Sequence, residues 1–117
     1  MAYDANNIFA KILREEIPCD TVFEDDHVLA FKDAFPKAPV HVLLIPKKPY
    51  TDSADFSKNA TPDEMVAFTR AIGTIAEKLQ ITKAGYRLIA NTGSDGGQEV
   101  PHFHMHIVAG KNLGPML

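Results

Sequence analysis

Residues 40–45, Val-His-Val-Leu-Leu-Ile, constrain the fold of this 117-residue chain more than any other segment. All but one of them are apolar, β-branched side chains are frequent, and Pro46 closes the run. A stretch without polar alternation reads as a central strand, covered on both sides, and the rest of the chain must supply a sheet around it. The one polar residue, His41, is ordinarily read in such a place as a satisfied core histidine.

The flanking segments supply that sheet. Ile8, Phe9, Ile12 and Leu13 follow helical spacing, with Asn7 as N-cap, and Pro18 is expected to end this first helix. Residues 21–24 and 28–32 read as short strands of a hairpin turned by the acidic stretch ending at His27. Residues 33–39 hold two prolines and are expected to be a loop, and residues 50–60 are polar and expected to be irregular. A strong helix start follows: Thr61 as N-cap, Pro62 at the first helical position and Glu64 to complete a capping box. Met65, Phe68, Ile72, Ile75, Ala76 and Leu79 form its apolar stripe, and Gly85 is expected to stop the segment. Residues 86–90 read as a strand, 91–98 as a glycine-rich loop and 102–109 as the last strand. The order helix, hairpin, strand, helix, strand, strand predicts an antiparallel α+β sheet in one domain over residues 1–117.

Composition narrows the function. Apolar residues make up 45% of the chain, which excludes a disordered segment. The net charge is −3 with no basic patch, so a nucleic-acid partner is not expected, although a small anionic ligand is compatible with a local positive site. The single cysteine, Cys19, excludes an internal disulfide and a multi-cysteine zinc site. The first residues lack the pattern of a secretory signal, and no apolar run approaches the ~18 residues of a membrane span. The expectation is a soluble, cytoplasmic protein without a membrane partner.

Three of the five histidines, His102, His104 and His106, alternate with Phe103, Met105 and Ile107. In a strand the histidines share one face and the apolar residues pack on the core. The histidines then form a polar strand face, a metal site or a catalytic row. Alternate Cα atoms lie about 6.7 Å apart and the outer pair about 13 Å, too far for three imidazoles of a straight strand to converge on one ion. A metal would need two of them and a further ligand such as His41. A catalytic row uses the spacing as it stands: the middle imidazole attacks while its neighbours contact the oxygens of a bound anion.

The segment from His102 to Val108 resembles the His-φ-His-φ-His-φ-φ signature of the histidine triad (HIT) superfamily, φ being apolar. Residues 8–18, 23–26, 29–33, 38–41, 45–48 and 91–98 resemble its Hint branch, the histidine triad nucleotide-binding proteins. The resemblance implies a five-stranded antiparallel sheet with two main helices. It also implies a homodimer whose sheets join into a ten-stranded one across the long helix and the strand at residues 86–90. The implied activity is hydrolysis of purine nucleoside 5′-monophosphoramidates, with no cofactor or metal.

The implied roles fall on particular residues. His104 matches the nucleophile, His102 and His106 its flanking members, and His41 the buried histidine that orients the set. Asn91 and Gln98 match residues that hold the phosphate. Asp33 matches the acceptor of the ribose hydroxyls, though it is equally a turn aspartate. Ile8, Phe9, Ile12, Ile17, Phe31 and Lys32 match positions around the purine, where the apolar ones serve equally as core. Glu99 stands where well-known members carry a serine thought to assist proton delivery to the leaving group, so leaving-group preference does not follow from the resemblance. The tail from Lys111 also lacks the tryptophan-containing ending of many members, so substrate selectivity does not follow either. Two other functions fit the same residues: a purine nucleotide sensor or adaptor, and a dinucleoside polyphosphate hydrolase.

Overall fold

A computed structural model describes residues 3–117. Five strands, β1 (Thr21–Glu24), β2 (Val28–Lys32), β3 (Val40–Pro46), β4 (Tyr86–Ile89) and β5 (Met105–Ala109), form one sheet in the order β1-β2-β3-β5-β4. Every neighbouring pair is antiparallel. Three helices, α1 (Ile8–Leu13), α2 (Ser53–Asn59) and α3 (Pro62–Lys78), accompany it. Among the described residues no helix is long and apolar enough to cross a membrane.

The apolar run in β3 is explained by two cores, one on each face of the sheet. Val42 and Leu44 join Val28, Ala30, Ile107 and Ala109 beneath α2 and α3, where Ile75 is completely buried. Leu43 and Ile45 face the other way and pack with Leu29, Phe31, Phe9 and Ile12. The two-residue period thus sorts each strand between a large core and a smaller one. Phe56, Phe68 and Phe103 close the large core, their ring centroids 5.0–5.2 Å apart.

Helix α3 begins as the sequence predicts. Thr61 Oγ1 accepts from Glu64 N at 3.2 Å, and the Glu64 carboxylate accepts from Thr61 N at 2.8 Å. Asn7 caps α1 by accepting from Ala10 N at 2.9 Å. The helix ends differ from expectation. Neither Pro18 nor Gly85 is the stop signal: α1 ends at Leu13 and α3 at Lys78, each followed by a residue at positive φ, Glu15 (62°) and Gln80 (58°). Glu16 N then bonds back to Lys11 O, and Ile81 N to Ala76 O, which is the six-to-one closure of a Schellman turn made without glycine. Residues 50–60 are not irregular either. Asp52 caps α2 by accepting from Asp55 N at 2.8 Å, and Phe56 anchors the helix in the core.

The last strand is shorter than the alternating pattern suggests, since its ladder starts at Met105 opposite Leu44. The carbonyl of Pro46 is taken instead by the His102 ring at 2.9 Å, and Phe103 N donates to Tyr50 O at 2.7 Å. The alternation of faces nevertheless persists, with Phe103 and Ile107 in the large core and Met105 packed against it.

Candidate active site

A cavity of about 1440 Å³ opens on the face of the smaller core. His41, His104 and His106 line it, together with Asp33, Asn91 and Glu99. The positions expected around a purine, Ile8, Phe9, Ile12, Ile17, Phe31 and Lys32, line it as well. Phe9, Ile12 and Phe31 therefore act both as core and as cavity wall. Two expected site residues stand elsewhere. His102 is fully buried and lines no part of the cavity. Gln98 is turned into its own loop, with Nε2 donating to Thr51 O at 2.7 Å and Val100 O at 3.0 Å, and Oε1 accepting from Gly93 N at 3.1 Å.

Partner chemistry fixes the tautomer of each imidazole, because a carbonyl only accepts and an amide N–H only donates. His104 Nδ1 sits 2.7 Å from the carbonyl of His102 and must donate, so its Nε2 carries an open lone pair. Lys37 N donates to His41 Nδ1 at 3.0 Å, so His41 Nε2 bears the proton. That proton is donated to His106 Nδ1 at 2.9 Å, which leaves His106 Nε2–H available as a donor. The rings of His104 and His106 lie 5.1 Å apart, centroid to centroid. An acceptor-type nitrogen and a donor-type nitrogen thus stand side by side at the cavity wall. His102 contributes through its backbone carbonyl, which corrects the expectation that its side chain meets an anion: its ring is engaged behind the wall.

Burial keeps this set neutral. Desolvation pushes His102 and His106 down to about 4, and the proximity of His104 and His41 adds to the shift of His106. Burial lowers His104 and His41 too, opposed for both by the negative charge of Asp33 and for His104 also by that of Glu99. The contact between His41 Nε2 and Asp33 Oδ2, at 3.5 Å, therefore joins a neutral ring to a carboxylate. Asp33 also fills the turn role, its Oδ1 accepting from Phe35 N at 2.7 Å.

Asp33, His41 and His106 bring ligand-type atoms within 4.8 Å of one another. A cation there would need the lone pair of His41 Nε2. Lys37 N–H occupies Nδ1, so Nε2 keeps its proton and the trio shares a hydrogen rather than offering three lone pairs.

Several contributors escape a reading of the sequence. The orienting group for His41 is the backbone N–H of Lys37, in a loop whose only visible signal is its prolines. Arg87 and Leu113 also line the cavity, and Arg87 Nη2 donates to Gly114 O at 2.8 Å, so the tail borders the cavity of its own chain. The edge-to-face contact of Phe9 with the His104 ring, 4.9 Å between centroids, belongs to a residue expected at the purine or in the core and not against the nucleophile.

Together these features define an α+β protein with a histidine-based site on one face of its sheet. The chain belongs to the HIT family: the family model described as the HIT domain matches residues 14–113. It is 51% identical over 115 residues to an uncharacterised HIT-like protein of Azospirillum brasilense, covering 98% of this chain and 94% of that one. It is 46% identical over 112 residues to the purine nucleoside phosphoramidase of Escherichia coli (strain K12), covering 94% and 92%. Among solved structures, a histidine triad protein from Clostridium difficile superposes with a TM-score of 0.86 at 43% identity, covering 99% of this chain and 100% of that one. A HIT family hydrolase from Legionella pneumophila does so with a TM-score of 0.83 at 38% identity, covering 93% and 96%.

Proposed function

We propose that the protein hydrolyses purine nucleoside 5′-monophosphoramidates at the P–N bond through a covalent nucleotidyl-histidine. The observation that carries this reading is the pairing of an open Nε2 lone pair on His104 with a donor Nε2–H on His106, at a ring separation of 5.1 Å. The phosphoramidase name of the Escherichia coli relative supports the same substrate class.

His104 Nε2 attacks the α-phosphorus, and the bond to phosphorus forms as the P–N bond breaks. His106 Nε2–H donates to a phosphate oxygen as charge develops. The amine takes a proton from solvent as the P–N bond breaks and leaves neutral. The modified imidazole is cationic, and its Nδ1–H remains on the carbonyl of His102, which favours that charge. Water then attacks the phosphorus as the P–Nε2 bond breaks, gives one proton back to solvent, releases the nucleoside monophosphate and restores neutral His104. The purine lies against Phe9, Ile12 and Phe31, Asp33 accepts from the ribose, and Asn91 with the glycine-rich loop holds the phosphate. Gln98 serves by shaping that loop, and Glu99 faces the departing amine. In solution two copies associate through β4, an edge strand with an exposed Leu88, in a homodimer.

His104→Ala is expected to abolish turnover of an adenosine phosphoramidate while retaining adenosine monophosphate binding, and rapid quench of the wild type to trap a phosphorus–histidine adduct. Full P–N cleavage by the variant would sink the assignment, whereas binding without any adduct would favour a nucleotide sensor. Comparing a phosphoramidate with a diadenosine polyphosphate separates the related hydrolase activity, and Glu99→Ser is expected to reorder kcat/KM across amines.

A further inference from the structure

His102 offers the nucleophile nothing but its carbonyl, yet its ring is the most completely enclosed of the five histidines, with no exposed surface. One ring nitrogen, Nε2, donates to Pro46 O at 2.9 Å. In the neutral ring Nδ1 is then an acceptor, and at this depth an acceptor without a partner is strongly disfavoured. The partner comes from the other end of the chain. Tyr3 Oη lies 2.6 Å from His102 Nδ1, across a sequence separation of 99 residues. With Pro46 accepting on the far side, the hydroxyl is the donor. The two rings meet edge to face, their centroids 5.6 Å apart at 70°. Phe9 meets both His102 and His104 edge to face, with centroids 6.3 and 4.9 Å away, so the same N-terminal stretch touches both rings.

We infer that Tyr3 is a positioning residue for the nucleophile: its hydroxyl locks the His102 ring, and thereby the carbonyl that orients His104. The chain of contacts is continuous. Tyr3 Oη holds His102 Nδ1, Pro46 O holds His102 Nε2, and the carbonyl of that same residue holds His104 Nδ1 at 2.7 Å. With the hydroxyl removed, the buried Nδ1 is left unsatisfied. The ring then turns or recruits water, and the carbonyl beneath His104 moves with it. The nucleotide-contacting groups are untouched, so the effect falls on the chemical step. Tyr3 itself does not line the cavity, which separates it from substrate-binding residues.

The inference rests on the reading of His104 as the nucleophile, and Tyr3→Phe tests it because the ring and its edge contact survive. The expected result on adenosine 5′-phosphoramidate of a fluorescent amine is a fall in kcat of roughly ten-fold, as for a sub-ångström displacement of a reacting group, with KM nearly unchanged. In a His102→Ala background the same substitution should add nothing further. Ring 15N spectra give a readout independent of turnover: Tyr3→Phe should shift the His102 and His104 resonances and leave those of His41 in place. Wild-type kcat in Tyr3→Phe, the same fractional loss in the His102→Ala background, or unmoved His104 resonances each overturns the inference. If the wild type turns over no phosphoramidate, the proposed activity falls, and the ring spectra still decide the role of Tyr3.

Discussion

His41 Nε2 lies 2.9 Å from His106 Nδ1, although the two residues are 65 positions apart in the chain. The register explains the meeting. His41 stands opposite Val108, and His106 opposite Leu43, so the histidines are diagonal neighbours on one face of β3 and β5. The bond has a direction, because Lys37 N–H leaves His41 only Nε2 to donate with.

Removing that donor is expected to reach the chemistry without emptying the site. In His41→Ala the tautomer of His106 is no longer fixed and its Nε2 donates only part of the time. A fall in kcat of about 10–100-fold is expected, as for other orienting partners of catalytic imidazoles. Adenosine monophosphate affinity, read by calorimetry, should change little. An unchanged kcat would show that His106 needs no orientation.

Acid should cost both stability and activity. Burial pushes His102 and His106 down to about 4, whereas in the unfolded chain they titrate near the ordinary 6.5. Between those values the unfolded state binds more protons, so this stabilisation is complete above pH 6.5 and is lost as pH falls toward about 4. For fully buried His102 the shift corresponds to about 3 kcal/mol. Thermal melts should show Tm dropping through that window, and His102→Asn should flatten the drop. His104 is also lowered by burial, so the acid limb of kcat/KM should lie below 6.5. A limb at 7 or above would contradict the neutral set.

Chelation should leave turnover intact. The trio of Asp33, His41 and His106 is committed to sharing a proton. Activity measured after dialysis against EDTA is expected to equal that of the untreated protein. Loss in chelator, restored by zinc, would mean that Lys37 N–H does not hold His41 in the tautomer described.

Gln98 should report on the loop rather than on the phosphate. Its carboxamide satisfies the carbonyls of Thr51 and Val100 and the amide of Gly93. Gln98→Glu keeps an acceptor for Gly93 and sets a carboxylate against two carbonyls, at a cost of about 1–3 kcal/mol. A lower denaturant midpoint is the expected reading, with kcat falling less than KM rises. Unchanged stability alongside lost phosphate affinity would return the side chain to the cavity.

These contrasts mark what the residues disclose on their own. Strand faces, the capping box at Thr61 and the apolar run of β3 are legible because each follows from local period or spacing. The ends of α1 and α3 are not, because Glu15 and Gln80 adopt a backbone conformation that their side chains do not advertise. Helix α2 is hidden because one residue, Phe56, supplies its buried face. In the site, the row of histidines is plain and the division of labour within it is not. Whether a ring faces the cavity or the carbonyl of Pro46 depends on where β3 ends, and the donors to the rings are a backbone amide in the preceding loop and a tyrosine from a distant segment.

Strand order has a consequence for biosynthesis. Of the five strands β5 is the last to be synthesised, yet it lies inside the sheet, between β3 and β4. Until it emerges, β3 has one bare margin and β4 has no neighbour at all. A nascent chain halted before Met105 therefore lacks the strand that pairs with both β3 and β4, as well as His106. His104 and His106 thus arrive within a few codons of the strand that joins the two halves of the sheet.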